Sequence, residues 1–269
     1  MSEPAAGLAV VSEAPDVRRD VTGTGRQRRA ASRVVRRIVA LAVMLLLWQL
    51  ASLAVGNDTL PGLPSMGQAI GNIAITGTFW LAVWDTVAST LLGLGLAIVL
   101  AVPLGIAIGS SRLATGSSQF LIDLLRTIPP VTLIPLALLL YGPTLPMKLL
   151  LIVYGAFWPL LVHSIYAIRD LDAVQRDVAT VFRFRPRVRW LRVVLPAATP
   201  SILVGVRISA TIALLLSVAA EQVAGQNNAA YVYVVAAALL GVLLNACTRR
   251  GERRLIAWHP SVRLAQAHR

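Results

Sequence analysis

The chain alternates between long apolar blocks and short polar or basic segments. A helix that crosses a bilayer needs about 20 predominantly apolar residues, with a range of roughly 17 to 25. Apolar runs of this length therefore predict membrane-spanning helices rather than the core of a soluble domain. Six spans are predicted, over residues 38–55, 79–108, 120–140, 147–168, 201–222 and 229–246.

Glycine and proline residues interrupt several of the predicted spans. In lipid, a broken helix is tolerated where neighbouring helices or a water-filled cavity satisfy the freed backbone groups. Kinked helices therefore suggest a bundle around a path, whereas small residues can equally serve close helix packing. The sequence leaves both interpretations open for Gly93, Gly95, Gly105, Gly109, Pro129, Pro130, Pro135 and Pro159.

Basic residues mark alternate ends of the predicted spans. Arginines crowd the N-terminal tail, the loop over residues 169–198 and the C-terminal tail, whereas residues 56–78 and 223–228 contain neither Lys nor Arg. Basic segments beside spans stay on the cytoplasmic side of a membrane. We therefore predict an all-α membrane protein, with about six transmembrane helices in a polytopic bundle, a basic cytoplasmic loop and both termini in the cytoplasm.

Three regions follow from this pattern. Residues 1–36 are rich in Ala, Gly, Ser, Asp and Arg and lack apolar periodicity, so we expect a disordered basic cytoplasmic tail. Residues 37–248 form the predicted transmembrane domain, which includes the basic loop. Residues 249–269 form a second basic cytoplasmic tail.

Composition supports a membrane protein and argues against nucleic-acid binding. Of the 269 residues, 57% are hydrophobic and 14% are charged, whereas a soluble domain has about 25% charged residues. The net charge of +13 lies at the ends of apolar blocks, where it orients spans and meets membrane lipid. No basic patch is interleaved with exposed aromatic residues, as nucleic-acid binding requires.

The residues predict neither catalysis nor a bound cofactor or metal. Cys247 is the only cysteine, which excludes an intrachain disulfide and a cysteine-cluster metal site. His163, His259 and His268 lie far apart in the sequence. No Gly-x4-Gly-Lys-Ser/Thr phosphate loop occurs. If ATP is used, another chain must bind and hydrolyse it.

The loop over residues 169–198 contains a predicted short amphipathic helix. Its apolar positions recur at helical spacing, and Pro186 ends or kinks the helix. A second short helix is predicted over residues 187–194. The first helix lies either in the headgroup region of the membrane or in a groove on a partner protein. Its apolar positions are Leu171, Val174, Val178, Val181 and Phe182.

Three ionisable residues inside or beside spans are candidate path or structural charges, because such residues are costly in lipid and often functional. Arg126 is the best candidate for lining a path, since prolines follow it directly. Arg207 is expected to reach the cytoplasmic interface or to anchor the basic loop. Glu221 is expected to be solvated near the external end, about 21 Å along a helix from Arg207 and out of its reach.

The basic loop resembles the cytoplasmic loop of bacterial ABC-importer permeases, which carries the motif Glu-Ala-Ala-x3-Gly-x9-Ile-x-Leu-Pro. Asp177 matches the Glu, Ala179 the second Ala, Val193 the Ile, and Leu195-Pro196 match outright. Further segments resemble the branch of this family for nitrate, sulfonate and taurine, over about residues 36–258. They are Leu60-Pro61, Leu63-Pro64-Ser65, Pro103-Leu104-Gly105, Arg126-Thr127-Ile128-Pro129-Pro130, Ile134-Pro135-Leu136, Gly205-Val206-Arg207-Ile208 and Ala220-Glu221.

The resemblance implies the permease subunit of an ATP-driven importer in the bacterial plasma (inner) membrane. It implies a second permease copy, cytoplasmic ATPase subunits that bind the ATP, and an extracytoplasmic solute-binding protein. The basic loop would act as the coupling helix that docks on the ATPase. The docking residues carried over by resemblance are Asp177, Val178, Ala179, Val181, Phe182, Arg183, Val193, Leu195 and Pro196.

Two features depart from the family pattern. Arg183 stands at the family's glycine, so the first short helix is expected to run on toward Phe184 instead of ending in a left-handed turn. Residues that such permeases usually have after Glu221 are absent, which predicts a tight external turn between the last two spans. The alternatives are an inactive permease relic and a self-sufficient secondary transporter or channel, although no convincing internal repeat favours a transporter of that kind.

Overall fold

The computed structural model describes residues 24–56, 61–171, 185–225 and 230–255. Helices account for nearly all of this part of the chain, and no strand occurs in it. The helices are α1 Thr24–Val55, α2 Leu63–Ala74, α3 Gly77–Gly109, α4 Arg112–Arg126, α5 Ile134–Tyr141, α6 Leu145–Arg169, α7 Pro186–Arg189, α8 Leu195–Val223 and α9 Ala230–Leu255.

Residues 1–65 form one compact unit and residues 66–269 the other. In the first unit, the segment after α1 folds back on the end of that helix. The indole Nε1 of Trp48 donates a hydrogen bond to the carbonyl oxygen of Pro61 at 3.1 Å, and the backbone N–H of Leu63 donates to Oε1 of Gln49 at 2.8 Å. Large apolar side chains of α1, such as Leu47 and Leu53, are exposed, as lipid contact requires.

Five helical segments are long and apolar enough to cross a membrane, and a bent pair brings the number to six if it counts as one span. The bent pair contains the predicted third span over residues 120–140, which is not one straight helix. α4 ends at Arg126, a short 3-10 helix over Pro130–Leu133 leads into α5, and the two parts meet at 67°. Proline lacks an N–H and clashes with the preceding turn, so Pro129 and Pro130 prevent a straight helix.

The core of the second unit lies where α3, α6 and α8 pack together. α3 and α6 run parallel and approach closely through Gly105 and Gly109, four residues apart on one face. A Cβ atom at Gly105 would lie 2.5 Å from Cβ of Ser164, and one at Gly109 would lie 2.8 Å from the carbonyl oxygen of Ile165. These two glycines therefore serve close helix packing.

α8 runs antiparallel to α6 and is longer than the predicted fifth span. The predicted second short helix over residues 187–194 is not separate, because α7, a π-helical stretch over Trp190–Val194 and α8 follow one another without a break. Pro196, the second residue of α8, lies inside this continuous helix, where its missing N–H removes one backbone hydrogen bond directly after the π-helical stretch. Leu195 and Val193 lie beside it in the same continuous helix.

The outer helices extend beyond their apolar, span-like stretches, which are Ile38–Val55 and Val234–Glu252. α1 already begins at Thr24, and α9 continues to Leu255. α8 ends at Val223 and α9 begins at Ala230, so the connection is short, as predicted. Gly225 begins this connection with φ +66°, a backbone conformation that favours glycine.

Candidate functional site

Lys148 joins three helices at one end of the bundle. It lies in the first turn of α6, Asp85 lies near the start of α3, and Glu221 lies near the end of α8. The Nζ atom of Lys148 donates hydrogen bonds to Oδ2 of Asp85 at 2.5 Å and to Oε1 of Glu221 at 3.0 Å. The side chains of Lys148 and Glu221 are 4% and 7% exposed, whereas that of Asp85 is 58% exposed.

Hydroxyl groups complete the surroundings of Glu221. Oγ1 of Thr86 lies 3.0 Å from Oε1 and 2.9 Å from Oε2, and Oγ of Ser217 donates to Oε1 at 3.4 Å. The hydroxyl of Ser217 also lies 2.9 Å from that of Ser89 on α3. We call Asp85, Lys148, Glu221 and these three hydroxyl residues the Lys148 network. It provides the cation and the donors that a buried carboxylate requires.

The prediction that Glu221 is solvated near the external end is therefore wrong. The residue is 5% exposed and is enclosed by α3, α6 and α8. Burial is possible because Lys148 supplies an opposite charge at 3.0 Å. Glu221 is thus part of a buried ion-pair network, and Lys148 and Asp85 are candidate residues that the sequence pattern did not predict.

Arg126 lies at the end of α4, between two cavities. Its Nη2 pairs with Oδ1 of Asp123 at 3.0 Å, and both side chains are about half exposed. One cavity, of about 580 Å³, is mainly apolar and lies along α6 and α8, with His163 and Trp158 in its wall. The other, of about 260 Å³, is more polar and includes Arg169. Arg126 lines both cavities, and its role beside a path stays a prediction.

Arg207 contacts the last helix. Its Nη1 donates to Oε2 of Glu252 on α9 at 3.2 Å, with the two side chains 34% and 18% exposed. Arg207 therefore ties α8 to α9, and the expectation that it reaches the cytoplasmic interface or anchors the basic loop stays a prediction. Arg207 and Glu221 do not contact each other, as the distance along α8 predicted.

The end of the bundle opposite the Lys148 network holds the described part of the basic loop. Arg187 and Arg192 are exposed there. Val194 is buried against the last turn of α6, in a cluster with Ala167, Ile168 and Ala198. This packing fixes the start of the continuous α7–α8 helix to the end of α6.

Comparison with known proteins identifies the family. The family model for the inner membrane component of binding-protein-dependent transport systems matches residues 93–256. The chain belongs to this family. It is therefore a permease subunit of an ABC importer, a multi-pass inner-membrane protein, as the ordered motifs predicted.

Individual relatives support this placement. The permease is 30% identical to the putative aliphatic sulfonates transport permease protein SsuC of Bacillus subtilis, over 82% of this chain and 86% of that one. It is 28% identical to the nitrate import permease protein NrtB of Synechocystis, over 72% and 73%. These relatives are transport permeases, and nothing among them favours a secondary transporter or channel.

A solved structure shares the fold of the permease. The inward-facing MetNI methionine ABC transporter superposes with a TM-score of 0.56 and 18% identity, covering 65% of this chain and 94% of that one. The predicted fold class, an all-α membrane bundle, is confirmed. Permeases of this family depend on a binding protein and associate with an ATPase, so both kinds of partner follow from membership.

Most of the predicted docking residues of the permease lie outside the described residues. These are Asp177, Val178, Ala179, Val181, Phe182 and Arg183, so the form of the first short helix stays a prediction. Val193, Leu195 and Pro196 lie at the base of the loop, within the continuous helix. The docking role of all nine residues remains a hypothesis.

Proposed function

We propose that two copies of this permease form the path of an importer for a small anion, driven by ATP hydrolysis in separate cytoplasmic ATPase subunits. The observation that carries the proposal is the continuous helical stretch from Pro186 to Val223. Its start holds the end of the docking motif, and its other end holds Glu221 in the Lys148 network. A displacement of the loop by the ATPase would therefore reach the opposite end of the bundle through one continuous helix.

The class of solute is inferred from relatives and from Arg126. SsuC is named for aliphatic sulfonates and NrtB for nitrate, and both solutes are anions. The guanidinium of Arg126 lies beside the mainly apolar cavity along α6 and α8. A guanidinium binds oxyanions, planar or tetrahedral, through paired hydrogen bonds. We therefore propose a nitrate-, sulfonate- or taurine-like solute.

Reconstitution tests this function. The permease is purified with the ATPase and solute-binding protein encoded nearest to it, and uptake of labelled nitrate, taurine and an alkanesulfonate into proteoliposomes is measured. We expect uptake of at least one of these solutes to require ATP, the ATPase and the binding protein together. Uptake without ATP would contradict the proposal in favour of a secondary transporter or channel, and a permease that associates with no ATPase would be a relic.

We further propose that both termini and the docking loop face the cytoplasm, with the docking residues Asp177 to Arg183 and Val193 to Pro196 on the ATPase side. Cysteine labelling in a Cys247→Ser background checks this orientation. In spheroplasts, we expect a membrane-impermeant thiol reagent to label Asn227→Cys and to leave Ser2→Cys and Ser261→Cys unlabelled until the membrane is opened. Labelling of either terminal cysteine in sealed spheroplasts would overturn the orientation.

A further inference from the structure

The Lys148 network has two arms, the ion pair of Lys148 with Glu221 and its ion pair with Asp85, which differ in exposure. Lys148 is the only lysine of the chain, since the other 24 of the 25 basic residues are arginines. Its contact with Glu221 is buried, and Thr86 and Ser217 hold the carboxylate from two helices. Its contact with Asp85 reaches a side chain that is 58% exposed.

The two arms differ in what it costs to open them. Parting Lys148 from Glu221 would leave two charges buried without a partner, which is strongly unfavourable. When Lys148 separates from Asp85, water can solvate the Asp85 carboxylate, and Lys148 remains paired with Glu221. Because only the Lys148 side of this pair is buried, the Asp85 contact costs less to open than the Glu221 contact.

The packing of α3 differs between its first turns, which contain Asp85, and its later turns. From Gly93 to Gly109, α3 lies so close to α6 that an added Cβ would overlap Ile152, Ser164 or Ile165. Asp85 lies two turns before Gly93, and Trp84 and Leu81 beside it are exposed. Apart from Phe79, the buried residues of α3 before Gly93 carry hydroxyl groups, whereas those after it are mainly apolar. The first turns of α3 are therefore held to α6 and α8 largely by polar contacts of the Lys148 network.

We propose that the Asp85–Lys148 contact is a latch at the external end of the permease. It is closed when the external end is closed, and it parts when α3 separates from α6 during the transport cycle, while Lys148 stays with Glu221. The inference rests on the proposed importer function and on the proposed orientation. The contrasting interpretation is a permanent brace that never opens.

Labelling of Lys148 tests the latch directly, because no other lysine of the chain can react. The assembled transporter is treated with a water-soluble amine reagent at one pH, at rest and after trapping with ATP, vanadate and the solute-loaded binding protein, and the permease peptide is quantified by mass spectrometry. We expect labelling to rise about tenfold on trapping, since a side chain 4% exposed becomes accessible to the reagent only when Asp85 moves away from it. Equal labelling in both states of an active transporter would overturn the latch.

A variant in the exposed arm gives an independent test without leaving a buried charge. Asp85→Asn removes the anion but leaves Lys148 paired with Glu221, so the fold is preserved. If the latch holds the resting state, we expect ATP hydrolysis without binding protein to rise about twofold to fivefold, the range set by loss of one half-exposed ion pair. Asp85→Glu keeps the carboxylate and is expected to hydrolyse ATP at the wild-type rate.

The outcomes separate failure of the latch from failure of the proposed function. An Asp85→Asn transporter with the hydrolysis rate and uptake of the wild type identifies a permanent brace and overturns the latch alone. A wild-type complex that takes up no solute with ATP overturns the importer, and with it the latch. Raised hydrolysis in Asp85→Asn together with state-dependent labelling of Lys148 supports both.

Discussion

Co-purification of the permease with its ATPase is expected to be lost when Val178 is replaced by arginine and Phe182 by aspartate. The two residues are four apart, so they share one face of the predicted first short helix, together with Val174 and Val181. If this face lies in a groove of the ATPase, each new charge must be buried without a partner. Two such penalties amount to at least about 3 kcal/mol, roughly a hundredfold loss of affinity.

A matched control places the same two charge types on the opposite face. Ala173→Asp with Thr180→Arg alters the loop charge equally but leaves the apolar stripe intact. We expect this control to retain the ATPase in a detergent pull-down, with both variants inserted in the membrane at wild-type levels. Retention of the ATPase by the Val178→Arg, Phe182→Asp variant would show instead that the stripe lies in the headgroup region, the alternative that the sequence left open.

The spans could be predicted from the sequence because their length is set by the bilayer and not by their neighbours. An apolar run such as residues 147–168 is expected to form a helix in lipid, because a helix satisfies all backbone hydrogen-bonding groups within the segment. The bend near Pro129 was harder to predict. Proline shows where a helix is interrupted, but the angle between α4 and α5 depends on what each half packs against.

The Lys148 network was not predicted, because its residues are far apart in the sequence. Lys148 is separated from Asp85 by 63 residues and from Glu221 by 73, and Thr86 is separated from Glu221 by 135. The alternation of spans nevertheless contained a signal. The starts of α3 and α6 and the end of α8 must lie on one side of the membrane, so an acidic, a basic and an acidic residue at these three positions share one depth.

Contacts between α3 and α6 also depend on residues that the sequence left ambiguous. Glycines in spans indicated either a path or close packing, and the structure assigns different roles to different glycines. Gly105 faces α6, where a Cβ would lie 2.5 Å from Cβ of Ser164 and 2.8 Å from the carbonyl oxygen of Leu161. Gly95, on the same helix, is exposed and has no atom within 4 Å of an added Cβ.

Gly105→Leu is therefore expected to destabilise the permease, whereas Gly95→Leu is not. A leucine at position 105 forces apart two backbones in the middle of the core, and the carbonyl of Leu161 cannot rotate away as a flexible side chain could. Overpacking of this kind costs about 1–3 kcal/mol or more. The thermal midpoint of the detergent-solubilised protein, followed by tryptophan fluorescence and size-exclusion chromatography, measures the difference. Equal midpoints for the two variants would mean that α3 and α6 are not held together by this glycine face, and that the polar contacts around Lys148 carry more of their association than the packing indicates.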